Sequence, residues 1–235
     1  MRNVTTLGIV LKRTNLDETD KILTIYSQEL GKVSAIAKGI KKITSRKAGH
    51  LEPGNVVQFE LAKGKTFYII TNAKITHSFA YADLDKMKKL FLWCEILDKL
   101  AHDSEKNTDL FDLAVRGLSH IAAENDLIKA ELELYSTTGY QLEIRQCILG
   151  QEVLKQDQNY FSITGGGVVC ADHMAKYPDC VPISVEAIKF LRLIQNRDYE
   201  TLARVKVGVE IGEELERIAI LQRHHVIERK INSEG

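Results

Sequence analysis

Five short runs in the first 75 or so residues alternate apolar and polar side chains, and that alternation limits the fold more than any other feature of the chain. Residues 4–14 place Leu7, Ile9 and Leu11 on one side, the pattern of a half-buried strand. Residues 20–27 form a second β-rich run. In a third, Val33, Ala35 and Ala37 face one way, and Lys32, Ser34 and Lys38 the other. Residues 55–62 set Val57, Phe59 and Leu61 against Gln58 and Glu60, and residues 66–76 alternate Phe67 and Ile69 with Tyr68 and Ile70. Turn signals separate the runs: Asn15-Leu16-Asp17-Glu18, Leu30-Gly31-Lys32, Pro53-Gly54 and Gly64. Five strands without an intervening helix leave sheet edges to satisfy, and a small closed sheet does so. A five-stranded Greek-key barrel of the OB type fits; strand count alone also admits an SH3-like barrel.

Near Tyr81 the period changes. Leu84, Met87, Phe91 and Cys94 recur at helical spacing, and Leu90, Trp93, Leu97 and Leu100 widen the stripe to that of a helix inside a bundle. A second helix, with Asp109 as its expected cap, carries Leu113, Leu118 and Ile121. A third runs from Leu127 to Thr138 and stops at Gly139. Ser184 followed by Glu186 opens a fourth helix through Leu191 and Ile194, and a last one carries Ile211, Leu215, Ile218 and Gln222. Residues 144–182 show no helical period. The expected fold class is α+β: an N-terminal five-stranded OB-fold β-barrel over residues 1–79, followed by an all-helical domain over 80–235. Within the latter, 144–182 forms an irregular zinc-knuckle-like insertion.

The chain carries no net charge, but its parts do. Residues 1–78 hold 13 Lys and Arg against 6 Asp and Glu, and the remainder 19 against 26. Such asymmetry points to a front half that faces nucleic acid or a membrane. Its focus is Lys38-Gly39-Ile40-Lys41-Lys42-Ile43-Thr44-Ser45-Arg46-Lys47, five cations in ten residues with no acid among them. A loop of this kind on a barrel rim meets successive phosphates without base-specific geometry. The candidate DNA-binding residues are Lys38, Lys41, Lys42, Arg46 and Lys47. Lys12, Arg13, Lys63 and Lys65 extend the patch if their strand ends share that rim. Tyr68 is the stacking candidate, and alternation assigns Phe59 and Phe67 to the core.

Cys147, Cys170, His173 and Cys180 fall within the irregular segment, and Cys170-Ala171-Asp172-His173 has the spacing of half a metal knuckle. A structural zinc would stabilise so long a segment, and the competing reading is a set of reduced, partly buried thiols. Cys94 lies within a helix stripe and belongs to the core. Gly165-Gly166-Gly167 lacks the Lys-Ser/Thr of a phosphate loop and reads as a turn; His224-His225 reads as a solvated pair. The sequence contains no nucleophile elbow and no HExxH, and nothing argues for an enzyme. Residues 1–12 lack a signal-peptide pattern and no apolar run is long enough to span a membrane, so the expected location is the cytoplasm.

Residues 5–75 resemble the amino-terminal barrel of the bacterial recombination mediator RecO family. The resemblance is carried by TLGIVLKRTNLDETDKILTIYSQELGKVSAIAKGIKK and SRKAGHLEPGNVVQFELAKGK. ELYSTTGYQLEIRQC and ITGGGVVCADH are similar to the two approaches to that family's zinc knuckle. The family pattern pairs two cysteines in each half. Here Gly150 and His173 stand at two of those places, and Cys180 becomes a substitute ligand. The resemblance implies a non-enzymatic, nucleoid-associated protein of DNA repair and homologous recombination. It would bind single- and double-stranded DNA, anneal complementary strands, engage RecR and the single-strand binding protein, and help load RecA. A competing reading is a protein adaptor whose barrel is only a scaffold; a zinc-dependent hydrolase acting on nucleic acid would need an open metal position.

Overall fold

The computed structural model describes residues 3–41, 49–79, 83–124, 126–154, 158–196, 205 and 207–227. The first five strands are β1 (Asn3–Asn15), β2 (Lys21–Ser27), β3 (Gly31–Ala37), β4 (Val56–Lys63) and β5 (Tyr68–His77). They close into a barrel in the order β1-β2-β3-β5-β4, an order that fits an OB-fold. β1 makes the closure. Its first half pairs antiparallel with β4, from Asn3 opposite Ala62 to Ile9 opposite Val56, and its second half pairs with β2, ending at Asn15 opposite Lys21. β3 runs antiparallel to β2 and parallel to β5, with Ala35 beside Tyr68. Val10, Leu23, Ile25, Val33, Phe59 and Leu61 are among the residues that fill the interior.

Two strands depart from simple alternation. In β1, Val10 joins the barrel core, yet Ile9 and Leu11 are buried as well. The expected half-buried strand is thus buried on both sides. The cause is helix α1 (Leu84–Leu100), whose Cys94 sulfur lies 3.8 Å from the Val10 carbonyl. In β5, Glu60 pairs with Asn72 but Leu61 pairs with Ile70, which leaves Thr71 as a bulge. The bulge reverses the phase, so Tyr68 and Ile70 face the core, and Phe67 is half-buried ahead of the strand.

Asp83 caps α1 by accepting the Lys86 amide at 2.9 Å. Helix α2 (Thr108–Glu124) is capped by Asn107, whose side chain accepts the Leu110 amide at 2.9 Å; Asp109 sits inside the first turn. Trp93 of α1 is fully buried and donates its indole N–H to the Ala114 carbonyl of α2 at 3.1 Å. Polar ties join the helices to the barrel: Lys32 Nζ reaches the Asp98 carbonyl at 2.6 Å, and the Tyr26 hydroxyl the Asn107 carbonyl at 3.3 Å. The chain forms two compact units, one running through Leu127 and the other beginning at Ile128. The change from strands to helices near residue 80 therefore precedes the division between compact bodies, since α1 and α2 pack with the barrel.

The second unit is not all-helical, and its 144–182 segment is not irregular throughout. β6 (Asn159–Ser162), β7 (Gly167–Cys170) and β8 (Val181–Ile183) form an antiparallel sheet in the order β7-β6-β8. The strands are only three or four residues long, too short to leave a period in the sequence. Phe161, Val168 and Ile183 share a core with Leu132 of α3 (Leu127–Thr137), Leu191 of α4 (Val185–Gln195) and Ile218 of α5 (Val209–Val226). Ser184 caps α4, as its sequence predicts. Within this unit the buried carboxylate of Glu131 accepts two hydrogen bonds from Arg223, at 2.7 and 3.1 Å. Neither charge could be buried alone at tolerable cost.

The packing of α1 on α2 gives a test. A Cβ at Gly117 would meet the rigid Trp93 ring at 2.2 Å, whereas one at Gly212 of α5 meets nothing within 4 Å. Gly→Ala raises helix propensity by about 1 kcal/mol at both sites, but overpacking at the first costs about 1–3 kcal/mol. In urea titrations, Gly212→Ala is expected to stabilise and Gly117→Ala to destabilise the protein. Equal effects would show that the Trp93 contact is not tight.

Candidate nucleic-acid interface and metal centre

The described part of the basic loop is its root, Lys38 to Lys41. Lys38 and Lys41 are exposed, and Ile40 between them is buried in the barrel core. Gly39 adopts φ +66°, a left-handed conformation that lets the chain drop Ile40 inward and bring Lys41 out again. The root is bonded to the β1–β2 turn. The Lys41 amide donates to the Thr19 carbonyl at 3.1 Å, Lys41 Nζ to the Asp17 carbonyl at 2.5 Å, and the Gly39 amide to Asp20 Oδ1 at 2.8 Å. That turn is itself held by Asp17, whose carboxylate accepts the Thr19 and Asp20 amides at 2.7 Å each. Those amides hold the Asp17 carboxyl below the usual carboxylate range. Lys42, Arg46 and Lys47 lie outside the described residues.

The strand register separates the other expected cations. Lys12 is exposed near the Asn15 end of β1, and Arg13 beside it is paired with Glu52. Lys63 and Lys65 are exposed at the β4–β5 turn, which the ladder places at the Asn3 end of β1. Lys21, which sequence reasoning passed over, stands opposite Ala37 and lines a cleft of about 400 Å³ with Leu11, Lys12, Arg13, Phe91 and Cys94. Tyr68 is half-buried against the barrel core, so its ring is less open to a base than alternation suggests.

In the second unit, four side chains converge: Cys147, Glu152, Cys170 and His173, with one donor atom of each within 4.8 Å of all the others. Cys147 opens a tight turn, closed by the Gln151 amide on its carbonyl and by its own amide on the Glu152 carbonyl, both at 2.9 Å. Cys170 ends β7, and the His173 amide folds back on its carbonyl at 3.1 Å. His173 Nδ1 lies 3.5 Å from Cys147 Sγ, 3.3 Å from Cys170 Sγ and 3.2 Å from Glu152 Oε1, and the Cys170 thiol donates to Glu152 Oε1 at 2.8 Å.

Electrostatics favour one thiolate here. Burial would raise the Cys147 thiol, but the amides of Cys170, Gly150 and Leu149, together with the His173 ring, outweigh it and bring the thiol down to about 7. Cys170 is pushed up to about 11 by burial and by the Glu152 and Cys147 groups beside it. The Cys147 contact, with the Glu152 charge, raises the His173 imidazole.

Residues 1–79 match the family described as Recombination protein O N terminal, and residues 81–234 match Recombination protein O C terminal. The chain belongs to the RecO family. A protein of Dehalococcoides mccartyi named DNA repair protein RecO is 30% identical over 237 residues, covering 96% of this chain and 91% of its own. A protein of the same name from Thermoanaerobacter sp. is 28% identical over 245 residues, covering 98% and 96%. Another from Bacillus pumilus is 29% identical over 218 residues, covering 90% and 84%. RecO membership supports a role in DNA repair and recombination. Among the described residues, no helix is long and apolar enough to cross a membrane.

For a RecO chain the four-residue group bears on the expected zinc, and its donors fit one. Two sulfurs, an imidazole nitrogen and a carboxylate oxygen at zinc bond lengths span tetrahedral edges of roughly 3.4–3.8 Å. Four of the six separations run from 2.8 to 3.5 Å and all lie within 4.8 Å, a range that brackets those edges. Cys180, an expected ligand, stands outside the group and packs against the small apolar cluster that includes Cys147, Val169 and Cys170. Glu152 takes the fourth place. A Cβ at Gly150, where the resemblance expects a cysteine, would lie 1.8 Å from Glu152 Oε2, so the carboxylate fills the space that a side chain at 150 would need.

Proposed function

We propose that this chain binds single- and double-stranded DNA through the cations of the loop Lys38–Lys47, and that residues 1–79 carry that role. The observation that carries the reading is the alternation at the loop root: Ile40 is locked in the barrel while Lys38 and Lys41 face solvent. Charge so held screens phosphate without reading bases, which suits a protein that must accept any sequence. Screening two backbones at once lets complementary strands approach, and this is the physical basis for annealing. RecO membership supports the remainder of the reading: a cytoplasmic, nucleoid-associated mediator that works with RecR. It would help load RecA on single strands coated by the single-strand binding protein. No catalysed reaction is part of it.

Cys147, Glu152, Cys170 and His173 would hold one structural zinc in the second unit. The ion would cross-link the 147–152 turn to the end of β7, a stabilising constraint on short strands. Four protein donors leave no position for a reacting water, which favours a structural over a hydrolytic metal.

Two measurements test these assignments. Contact with about five phosphates on a single strand predicts that log K falls with log salt at a slope of about −3.5. Lys38→Ala should shallow it by about 0.7, and charge reversal at Lys41, Lys42 and Arg46 together should abolish binding in a folded protein. A salt-independent or absent affinity of the full chain would leave the adaptor reading in its place. For the metal, elemental analysis should find stoichiometric zinc. Glu152→Ala should weaken it at least about tenfold, and Cys180→Ser should not. Gly150→Cys combined with Glu152→Ala should restore binding and, with cobalt, strengthen the thiolate charge-transfer band. Metal lost with Cys180→Ser but retained in Glu152→Ala would reverse the ligand assignment.

A further inference from the structure

Three acids, Asp17, Glu18 and Asp20, occupy the β1–β2 turn directly beside the root of the basic loop. On charge alone they oppose a polyanion at that rim, since fixed charges within about a Debye length of a phosphate are felt by it. Their hydrogen bonds tell a different story for one of them. Asp20 is half-buried, and its Oδ1 accepts the Gly39 amide and the Thr19 hydroxyl, each at 2.8 Å. The Gly39 amide is the donor that the left-handed bend at φ +66° presents to the turn. The neighbouring Thr19 carbonyl takes the Lys41 amide, and the Leu16 amide closes the turn on the Asp20 carbonyl at 3.2 Å. Asp20 therefore stitches the loop root to β1 and β2 on one side, while Ile40 pins it to the barrel core on the other.

We propose that Asp20 is a positioning residue for DNA binding: the side-chain oxygen that accepts the Gly39 amide strengthens binding of a polyanion by fixing the backbone from which the exposed Lys38 and Lys41 side chains project. This rests on the assignment of the loop as the DNA-binding element. A loop root already ordered in the free protein has less conformational entropy to lose when phosphates arrive. Glu18 belongs to the same turn and is exposed, so its carboxylate contributes charge at the rim.

The sign of the effect makes the test decisive. Affinity for a fluorescein-labelled oligonucleotide is measured on the full-length protein at fixed salt, with thermal unfolding followed for each variant. Asp20→Ala removes a negative charge, yet affinity should fall by about tenfold, an amount appropriate to losing a pre-set arrangement. Asp20→Asn removes the same charge but keeps an acceptor for the Gly39 amide, and should bind at least as tightly as the wild type. Asp20→Glu keeps the charge and misplaces the oxygen, and should weaken binding; it serves as the test if the alanine variant does not fold. Glu18→Ala should bind slightly more tightly. Hydrogen exchange at the Gly39 and Lys41 amides should quicken in Asp20→Ala and stay slow in Asp20→Asn. If the wild type binds DNA and both Asp20→Ala and Asp20→Glu bind as tightly or more so, the inference is wrong. If the wild type itself binds none, the loop assignment fails instead.

Discussion

The structure depends on the double pairing of β1. A thirteen-residue strand that hydrogen-bonds to β4 along its first half and to β2 along its second removes the edges that a five-stranded sheet would otherwise expose. Closure fixes more than stability. It sets the β1–β2 turn next to the end of β3, because Asn15 is paired with Lys21 and Lys21 with Ala37. The acidic turn and the basic loop are neighbours for that reason, and their hydrogen bonds need no long-range coincidence. The same strand carries α1, since burying Ile9 and Leu11 outside the barrel requires a partner that the sheet cannot supply.

Much of this was legible in the sequence, and the failures have identifiable causes. Strand boundaries followed from turn residues, and Phe59, Val33 and Ala35 reached the core as their alternation predicts. Tyr68 did not reach the surface face, because one extra residue at Thr71 shifts the phase of β5, and a bulge leaves no mark in a single sequence. β1 broke the half-buried rule because α1 covers its outer side, a tertiary fact that alternation cannot carry. In the second unit, the short strands β6, β7 and β8 were invisible for lack of length.

The candidate metal centre shows the same limit in chemical form. Cys147, Cys170 and His173 were legible as thiols and an imidazole in one segment, a signal that also drew in Cys180, which stands outside the group. Glu152 was not, since a glutamate five residues beyond a cysteine is common and says nothing alone. Only the turn geometry reveals it: Gln151 at φ +58° brings residue 152 back over Gly150, where the missing Cβ leaves room for a carboxylate. Glycine at 150 and the carboxylate of Glu152 thus share one space, and neither position is informative without the other.

Net neutrality sharpens the argument about the loop. A chain with 32 cations and 32 anions has no long-range monopole to draw DNA toward it. Whatever attraction exists must come from local excess, over distances near the Debye length of about 8 Å at physiological salt. At that range, geometry counts as much as number. Cations on a slack segment lose part of their attraction to the entropy of ordering, and a root fixed by Ile40, Gly39 and the β1–β2 turn reduces that loss for Lys38 and Lys41.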